Sequence, residues 1–179
     1  SNADYCFYGR NKSNQLNIVV NFGTNSYNTF TTKPIANEKL ALTNAGDGSI
    51  YRWNDTANIV IFNMQTTSMY NAFNNNQTIT KVACSPNVTN MSSAYQNCPK
   101  LAGPPVCGPK VTSMYYTYYN CSNLTGAPVC GPNVDTMYYT YYGCANLSSN
   151  GYFYSNAITS VRNCFGGRNT NNRLDLYVP

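Results

Sequence analysis

The rhythm of apolar positions changes near residue 60. Upstream, Leu16-Asn17-Ile18-Val19-Val20-Asn21-Phe22 and Ala57-Asn58-Ile59-Val60-Ile61-Phe62 are short apolar runs rich in β-branched residues. They read as buried strands. Ser49-Ile50-Tyr51-Arg52-Trp53 alternates like a half-exposed strand, after a turn at Gly46-Asp47-Gly48. Downstream, the apolar residues fall into a unit of 23 residues that is copied along the chain. Val88-Thr89-Asn90-Met91, Val111-Thr112-Ser113-Met114 and Val134-Asp135-Thr136-Met137 superpose without gaps. Cys98, Cys121 and Cys144 keep the same step, as do Leu101, Leu124 and Leu147, Cys84, Cys107 and Cys130, and Pro86, Pro109 and Pro132. Met-Tyr-Tyr-Thr-Tyr-Tyr occurs twice, from Met114 and from Met137. Weaker copies flank these, at Ser68 to Phe73 and at Ile158 to Phe165.

One such unit cannot bury its apolar face alone, so neighbouring copies must stack on each other. Within a unit the inward residues are Val111, Met114, Thr117, Tyr118, Cys121, Leu124, Ala127 and Val129. The spacing from Val111 to Cys121 predicts a short helix, or a turn of one. From Leu124 the pattern predicts a brief extended segment, kept short by Pro105 and Pro128, which remove ladder donors. Cys-Gly-Pro at Cys107 and Cys130 then turns the chain back. The chain divides accordingly. Ser1-Asn2-Ala3 reads as a tag remnant, residues 4–62 as a small N-terminal β cap or degenerate repeats, and residues 63–179 as a repeat solenoid. Asn74-Asn75-Asn76-Gln77 reads as a loop where the first clear copy turns.

Composition narrows the chemistry. Hydrophobic residues make up 42% of the chain and charged residues 9%, against about 25% charged in an ordinary globular domain. Asn, Thr, Ser and Tyr must therefore supply the polar surface. The net charge of +5 reflects few acids, and the 11 basic residues are scattered, which argues against nucleic acid as a partner. No apolar run is long enough to span a bilayer. The chain has no histidine, which removes Ser-His-Asp and Cys-His catalysis and imidazole metal sites. The six acids, Asp4, Glu38, Asp47, Asp55, Asp135 and Asp175, form no pair close in sequence. An enzyme is not expected, and neither is a metal or another cofactor.

The eight cysteines admit three readings. Six of them lie in two series at repeat spacing and can pack as small buried hydrophobes, because equivalent side chains in parallel copies point the same way and rarely reach bridge geometry. One or more disulfides is the second reading. Metal binding is the third, without a Cys-x-x-Cys pair or a histidine to support it. Cys6 and Cys164 stay unassigned. The tyrosines carry the functional expectation. With Tyr118 and Tyr141 inward, Tyr115, Tyr116, Tyr119, Tyr138, Tyr139 and Tyr142 point outward and align from two adjacent copies into an aromatic patch. Tyrosine combines rigid apolar area with a hydroxyl, which suits protein and glycan ligands alike. The plainer reading is a self-stacking ladder that only shields the repeat.

The arrangement resembles the bacterial BspA-like leucine-rich repeats. The residues that carry the resemblance are the pairs Ala72-Phe73, Ala94-Tyr95, Thr117-Tyr118, Thr140-Tyr141 and Cys164-Phe165, and the steps Cys98 to Leu101, Cys121 to Leu124 and Cys144 to Leu147. Leu174-Asp175-Leu176-Tyr177-Val178-Pro179 looks like the strand that ends such arrays. The resemblance covers residues 64–179. The chain departs from the pattern at Pro104 and Ala127, where aliphatic strand residues are usual, and in having Tyr for Phe. The resemblance implies an α/β repeat solenoid, a leucine-rich-repeat-like right-handed coil with short strands and short helices. It also implies a non-enzymatic adhesion module at the cell surface, binding a protein or glycan on a host or neighbouring cell. A phage-encoded virion component is the alternative location. The rival expectation is a structural spacer within a larger surface or tail protein, with no ligand of its own. Asn-x-Ser/Thr strings at Asn54, Asn87, Asn120 and Asn123 arise from composition and are not read as glycosylation sites.

Overall fold

A computed structural model of the chain describes residues 16–20, 31–32, 40–41, 43–44, 50–52, 59–63, 66–148, 151–168 and 175–177. The N-terminal part is β structure. Strands β1 (Leu16–Val20), β4 (Thr43–Asn44), β5 (Ile50–Arg52) and β6 (Ile59–Asn63) form a sheet in the order β1-β6-β5-β4. β1 pairs with β6 in parallel, from Leu16 opposite Ile59 to Val20 opposite Asn63, and the other two pairings are antiparallel. β2 (Thr31–Thr32) and β3 (Leu40–Ala41) form a separate antiparallel pair. The turn expected at Gly46-Asp47-Gly48 and the unassigned Cys6 lie outside the described residues.

From Thr66 onward the copies lie in parallel, in register, one against the next. Single parallel bridges link Ser68 to Asn90, Asn90 to Ser113, Ser113 to Thr136 and Thr136 to Ser160. On the other side of each copy, bridges link Gly103 to Leu124 and Gly126 to Leu147. There β7 (Val129–Cys130), β8 (Gly151–Phe153) and β9 (Leu176–Tyr177) form a parallel three-stranded sheet. We call each copy a rung.

The segment after the bridge differs from the expected short helix. Among the described residues there is no α-helix, and the stretch from Met114 to Cys121 is a run of turns. Its backbone donors alternate. The N–H groups of Met114, Tyr116, Tyr118 and Asn120 donate across to carbonyls of the next rung, at Thr136, Tyr138, Thr140 and Tyr142, over 2.7–3.2 Å. Those of Thr117, Tyr119 and Cys121 bond back three residues, at 3.1–3.2 Å. The same alternation holds from Met91 and from Met137. Half the donors thus serve the turn and half serve the neighbour, which satisfies the backbone without a helix.

This geometry needs a left-handed residue at two places per rung. One place holds Asn71, Ser93, Tyr116, Tyr139 and Asn163, with φ of 53–55°. The other holds Asn75, Asn97, Asn120, Gly143 and Gly167. Asn and Gly are the residues that reach this region most easily. The second column is also a ladder of amides: Asn120 Nδ2 donates to Asn97 Oδ1 at 3.1 Å, and Asn97 Nδ2 to Asn75 Oδ1 at 2.9 Å. At Gly143 a Cβ would overlap Asn120 Oδ1, so the amide ladder ends on a glycine.

Val111, Met114, Thr117, Tyr118, Cys121 and Leu124 are fully buried. Beyond Leu124 the phase differs from the expected one. Pro128 and Cys130 are buried, and Ala127 and Val129 are only half-buried. A buried proline brings no N–H to satisfy, so it fits an inward place that offers no ladder partner. The core consists of columns of equivalent residues: Val88, Val111 and Val134; Met69, Met91, Met114 and Met137; Leu101, Leu124 and Leu147. Replacing one of these leucines by alanine costs about 2–5 kcal/mol, as for buried leucines generally.

Candidate interaction face

The inner aromatic column sets the geometry of the outer one. Phe73, Tyr95, Tyr118, Tyr141 and Phe165 stack ring on ring at 5.2–5.7 Å, with interplanar angles of 6–15°. The three tyrosines are fully buried, yet each hydroxyl is satisfied. Tyr118 Oη donates to Val106 O at 2.6 Å and accepts from Val106 N–H at 3.2 Å. Tyr141 does the same with Val129, at 2.8 and 3.0 Å, and Tyr95 with Ala83. One hydroxyl thus serves both backbone polar groups of the residue twelve positions earlier. Val106 and Val129 each follow a proline, Pro105 and Pro128, which brings no N–H of its own, and Ala83 follows Val82. Tyr in place of Phe therefore has a structural cause. Phe165 lacks the hydroxyl, and Phe153, twelve residues before it, lies in β8 with its backbone paired to β7.

The cysteines are also structural. The seven described ones, Cys84, Cys98, Cys107, Cys121, Cys130, Cys144 and Cys164, are free thiols. Cys98, Cys121 and Cys144 donate to the carbonyls of Phe73, Tyr95 and Tyr118 in the preceding rung, at 2.9–3.0 Å. Cys84 and Cys107 sit where a Cβ on Gly108 and Gly131 would come within 2.9 Å of their sulfurs. The glycine of each Cys-Gly-Pro string makes room for the thiol of the rung before. Burial pushes the thiols up, to about 11 for Cys107 and about 12 for Cys84, Cys130, Cys144 and Cys164. Thiols held protonated in this way make poor nucleophiles and poor metal ligands. Among the described residues no three His, Cys, Asp or Glu side chains group as a metal site would need, and no helix is long and apolar enough to cross a membrane.

Buried threonines complete the inner layer. Thr117 Oγ1 donates to Met91 O at 2.9 Å and Thr140 Oγ1 to Met114 O at 2.7 Å. With Met, Thr and Tyr fixed inward, the two intervening residues and the one after the inner tyrosine must face out. The structure brings the six tyrosines singled out by the sequence together there, in three columns. Tyr115 stacks on Tyr138 at 5.2 Å and 5°, Tyr116 on Tyr139 at 4.9 Å and 17°, and Tyr119 on Tyr142 at 5.2 Å and 9°. Within a rung, Tyr115 meets Tyr116 at 4.6 Å and Tyr116 meets Tyr119 at 5.1 Å, tilted, so the columns touch. Tyr115 is 43% exposed and the other five are half-buried. Burial among its neighbours, with the rings of Tyr115, Tyr138, Tyr139 and Tyr119, holds the Tyr116 phenol above its ordinary value.

Residues that the sequence reading missed border this face. The Arg162 guanidinium lies over the Tyr138 ring, 5.8 Å from its centre, and continues that column. Gly166 lies against Tyr142, where a Cβ would come within 2.7 Å of the ring carbons. Ser92 and Ser93 take the places of Tyr115 and Tyr116 one rung earlier, and Ser92 Oγ pairs with Ser113 Oγ at 2.8 Å. Aligning Val161 with Met137 puts Arg162 and Gly166 on the columns, a signal present in the sequence. Asn120 and Asn123 are engaged too: the Asn123 amide donates to Pro99 O at 2.7 Å, and that of Asn120 to Asn97. These amide nitrogens are committed to the neighbouring rung. Asn54 lies outside the described residues.

Comparison of the chain with protein-family models, with curated proteins and with solved structures returned no match.

Proposed function

We propose that residues 63–179 form a leucine-rich-repeat-like solenoid and that the chain is a non-enzymatic interaction module. It acts outside the cell by binding a protein or a glycan through the face of Tyr115, Tyr116, Tyr119, Tyr138, Tyr139 and Tyr142. One observation supports this reading above the rest. Tyr116 and Tyr139 occupy left-handed backbone positions that Asn71, Ser93 and Asn163 fill elsewhere. A bulky residue there costs about 1 kcal/mol. At these two rungs the chain accepts a strained position in order to place a ring at the centre of an exposed aromatic surface. Rigid tyrosines with few rotatable bonds are efficient contact residues. The resemblance to BspA-like repeats agrees with a surface role.

A second reading has its own support. Each outer ring stacks on its neighbour, and such a pair contributes about 0.5–1.5 kcal/mol, enough to offset the backbone strain. On that reading the face is a shield, and the chain is a spacer in a larger surface or phage tail protein. A glycan and protein array separates the two. The wild-type chain is compared with a double variant, Tyr116→Asn with Tyr139→Asn, which leaves the backbone positions comfortable. The binding reading expects a ligand that the wild type retains and the variant loses by tenfold or more. A ligand bound equally by both, or no ligand at all, favours the spacer.

A further inference from the structure

We propose that the outer tyrosine face is a site of oxidative cross-linking, at which a haem peroxidase with hydrogen peroxide joins Tyr115 to Tyr138 and Tyr119 to Tyr142 as dityrosine. The modification would weld two adjacent rungs together and does not depend on the face having a ligand.

The chemistry needs two phenols that can each lose an electron and a proton while their rings lie side by side. Two phenoxyl radicals then form a carbon–carbon bond between ring positions next to the hydroxyls. The hydrogens on those carbons shift to restore both phenols. Overall the two tyrosines lose two electrons and two protons, and one peroxide takes them up to become two waters.

Three sets of described aromatic residues differ in these requirements. In the outer columns the partner rings are nearly parallel, 5.2 Å apart at both Tyr115–Tyr138 and Tyr119–Tyr142. These two columns flank the face, so their rings can tip outward and bring their edges into bonding contact. The central pair, Tyr116 and Tyr139, has rings packed on both sides and less room to tip. The inner column of Tyr95, Tyr118 and Tyr141 is stacked at similar distances but sealed. Its phenolic protons are given to backbone carbonyls, which do not take up a proton, so oxidation there lacks an exit for the proton. The third case is Tyr70. It is 60% exposed, more than Tyr115 at 43%, and it shares Tyr115's place in the rung. Ser92 stands between the two, so among the described residues Tyr70 has no phenol beside it in its column. Exposure alone would favour Tyr154, at 64%, and Tyr70, whereas proximity favours the outer pairs.

The test treats the whole chain with a haem peroxidase and hydrogen peroxide over a hundredfold range of protein concentration. Dityrosine fluorescence gives the yield, and tandem mass spectrometry of proteolytic peptides locates the bonds. The proposal expects a yield per molecule independent of concentration in a product that stays monomeric on a denaturing gel. The joined peptides should be two hydrogens lighter than their sum and bonded at Tyr115–Tyr138 and Tyr119–Tyr142. Tyr138→Phe keeps a ring in the stack but removes a phenol. It should abolish the first bond and leave the second. Absence of dityrosine, a yield that scales with concentration, bonds through Tyr70 or the inner column, or an unchanged bond pattern in the variant would each overturn it.

Discussion

The inner tyrosine hydroxyl is the most exacting part of this architecture, and Tyr118→Phe isolates it. The substitution removes one oxygen and keeps the ring, so the stacks to Tyr95 at 5.6 Å and Tyr141 at 5.5 Å survive. What is lost is the pair of bonds to Val106, one donated at 2.6 Å and one accepted at 3.2 Å. The oxygen leaves behind a carbonyl and an N–H that bond no other group among the described residues. Each buried group left without a partner costs about 1–3 kcal/mol. Val106 is half-buried, so water recovers part of that, and a net loss of about 2–3 kcal/mol follows. In a chain of this size that lowers the melting temperature by roughly 4–12 °C. The assay is thermal or denaturant unfolding followed by circular dichroism, with Tyr119→Phe as the control. Tyr119 is on the outer face, and its loss should cost less than about 0.5 kcal/mol, as surface changes usually do. If Tyr118→Phe proves as mild as the control, the hydroxyl does not hold the proline-bearing side of the rung and the argument fails.

Three other perturbations probe separate parts of the account. Tyr116→Asn relieves a left-handed ring but removes its stack, two effects of about 1 kcal/mol in opposite directions; stability measured by urea unfolding should change by less than about 1 kcal/mol. Gly108→Ala puts a methyl group 2.9 Å from Cys84 Sγ and should destabilise by about 1–3 kcal/mol. Adding Cys84→Ala should recover most of that loss in a double-mutant cycle, and additive losses would show that the thiol is not the obstacle. The buried thiols make the fold sensitive to alkali. Burial pushes them up to about 12 at Cys84 and Cys144 from the ordinary thiol value of 9.0 that the unfolded chain restores. The stability they contribute is fully present below pH 9 and is lost as pH rises from there towards 12. Unfolding midpoints that stay flat across that window would contradict the burial of the thiols.

Much of the rung was legible in the sequence, and what was not legible depends on the neighbour. The fixed steps of Met, Cys and Leu gave the inward residues directly, because stacked copies must bury equivalent positions. Inward Tyr118 and Tyr141 followed, and with them the six outer rings. The run of turns was not legible from periodicity. Buried residues at Met114, Thr117, Tyr118 and Cys121 have helical spacing, and only the cross-rung hydrogen bonds make turns the better solution. One trace was present: Asn75, Asn97, Asn120, Gly143 and Gly167 fall in one column, an Asn-or-Gly pattern that marks left-handed backbone. The phase after Leu124 was misjudged because proline was treated only as a strand breaker. At Pro128 it is a buried residue, with its backbone neighbour served by a tyrosine hydroxyl. The glycines of Cys-Gly-Pro were read as turn formers, and their closeness to the preceding thiol becomes visible only when the rungs are stacked.

The tyrosine face is built in advance by the turns beneath it, and amide hydrogen exchange on the free chain tests this most directly. The N–H groups of Tyr116 and Tyr139 donate to Tyr138 O and Arg162 O in the next rung, both at 3.0 Å. Although their side chains lie at the surface, these amides should exchange slowly, together with the amides of buried Tyr118 and Tyr141. Exchange of Tyr116 and Tyr139 at the rate of an unstructured peptide, with Tyr118 and Tyr141 still protected, would contradict the preformed face.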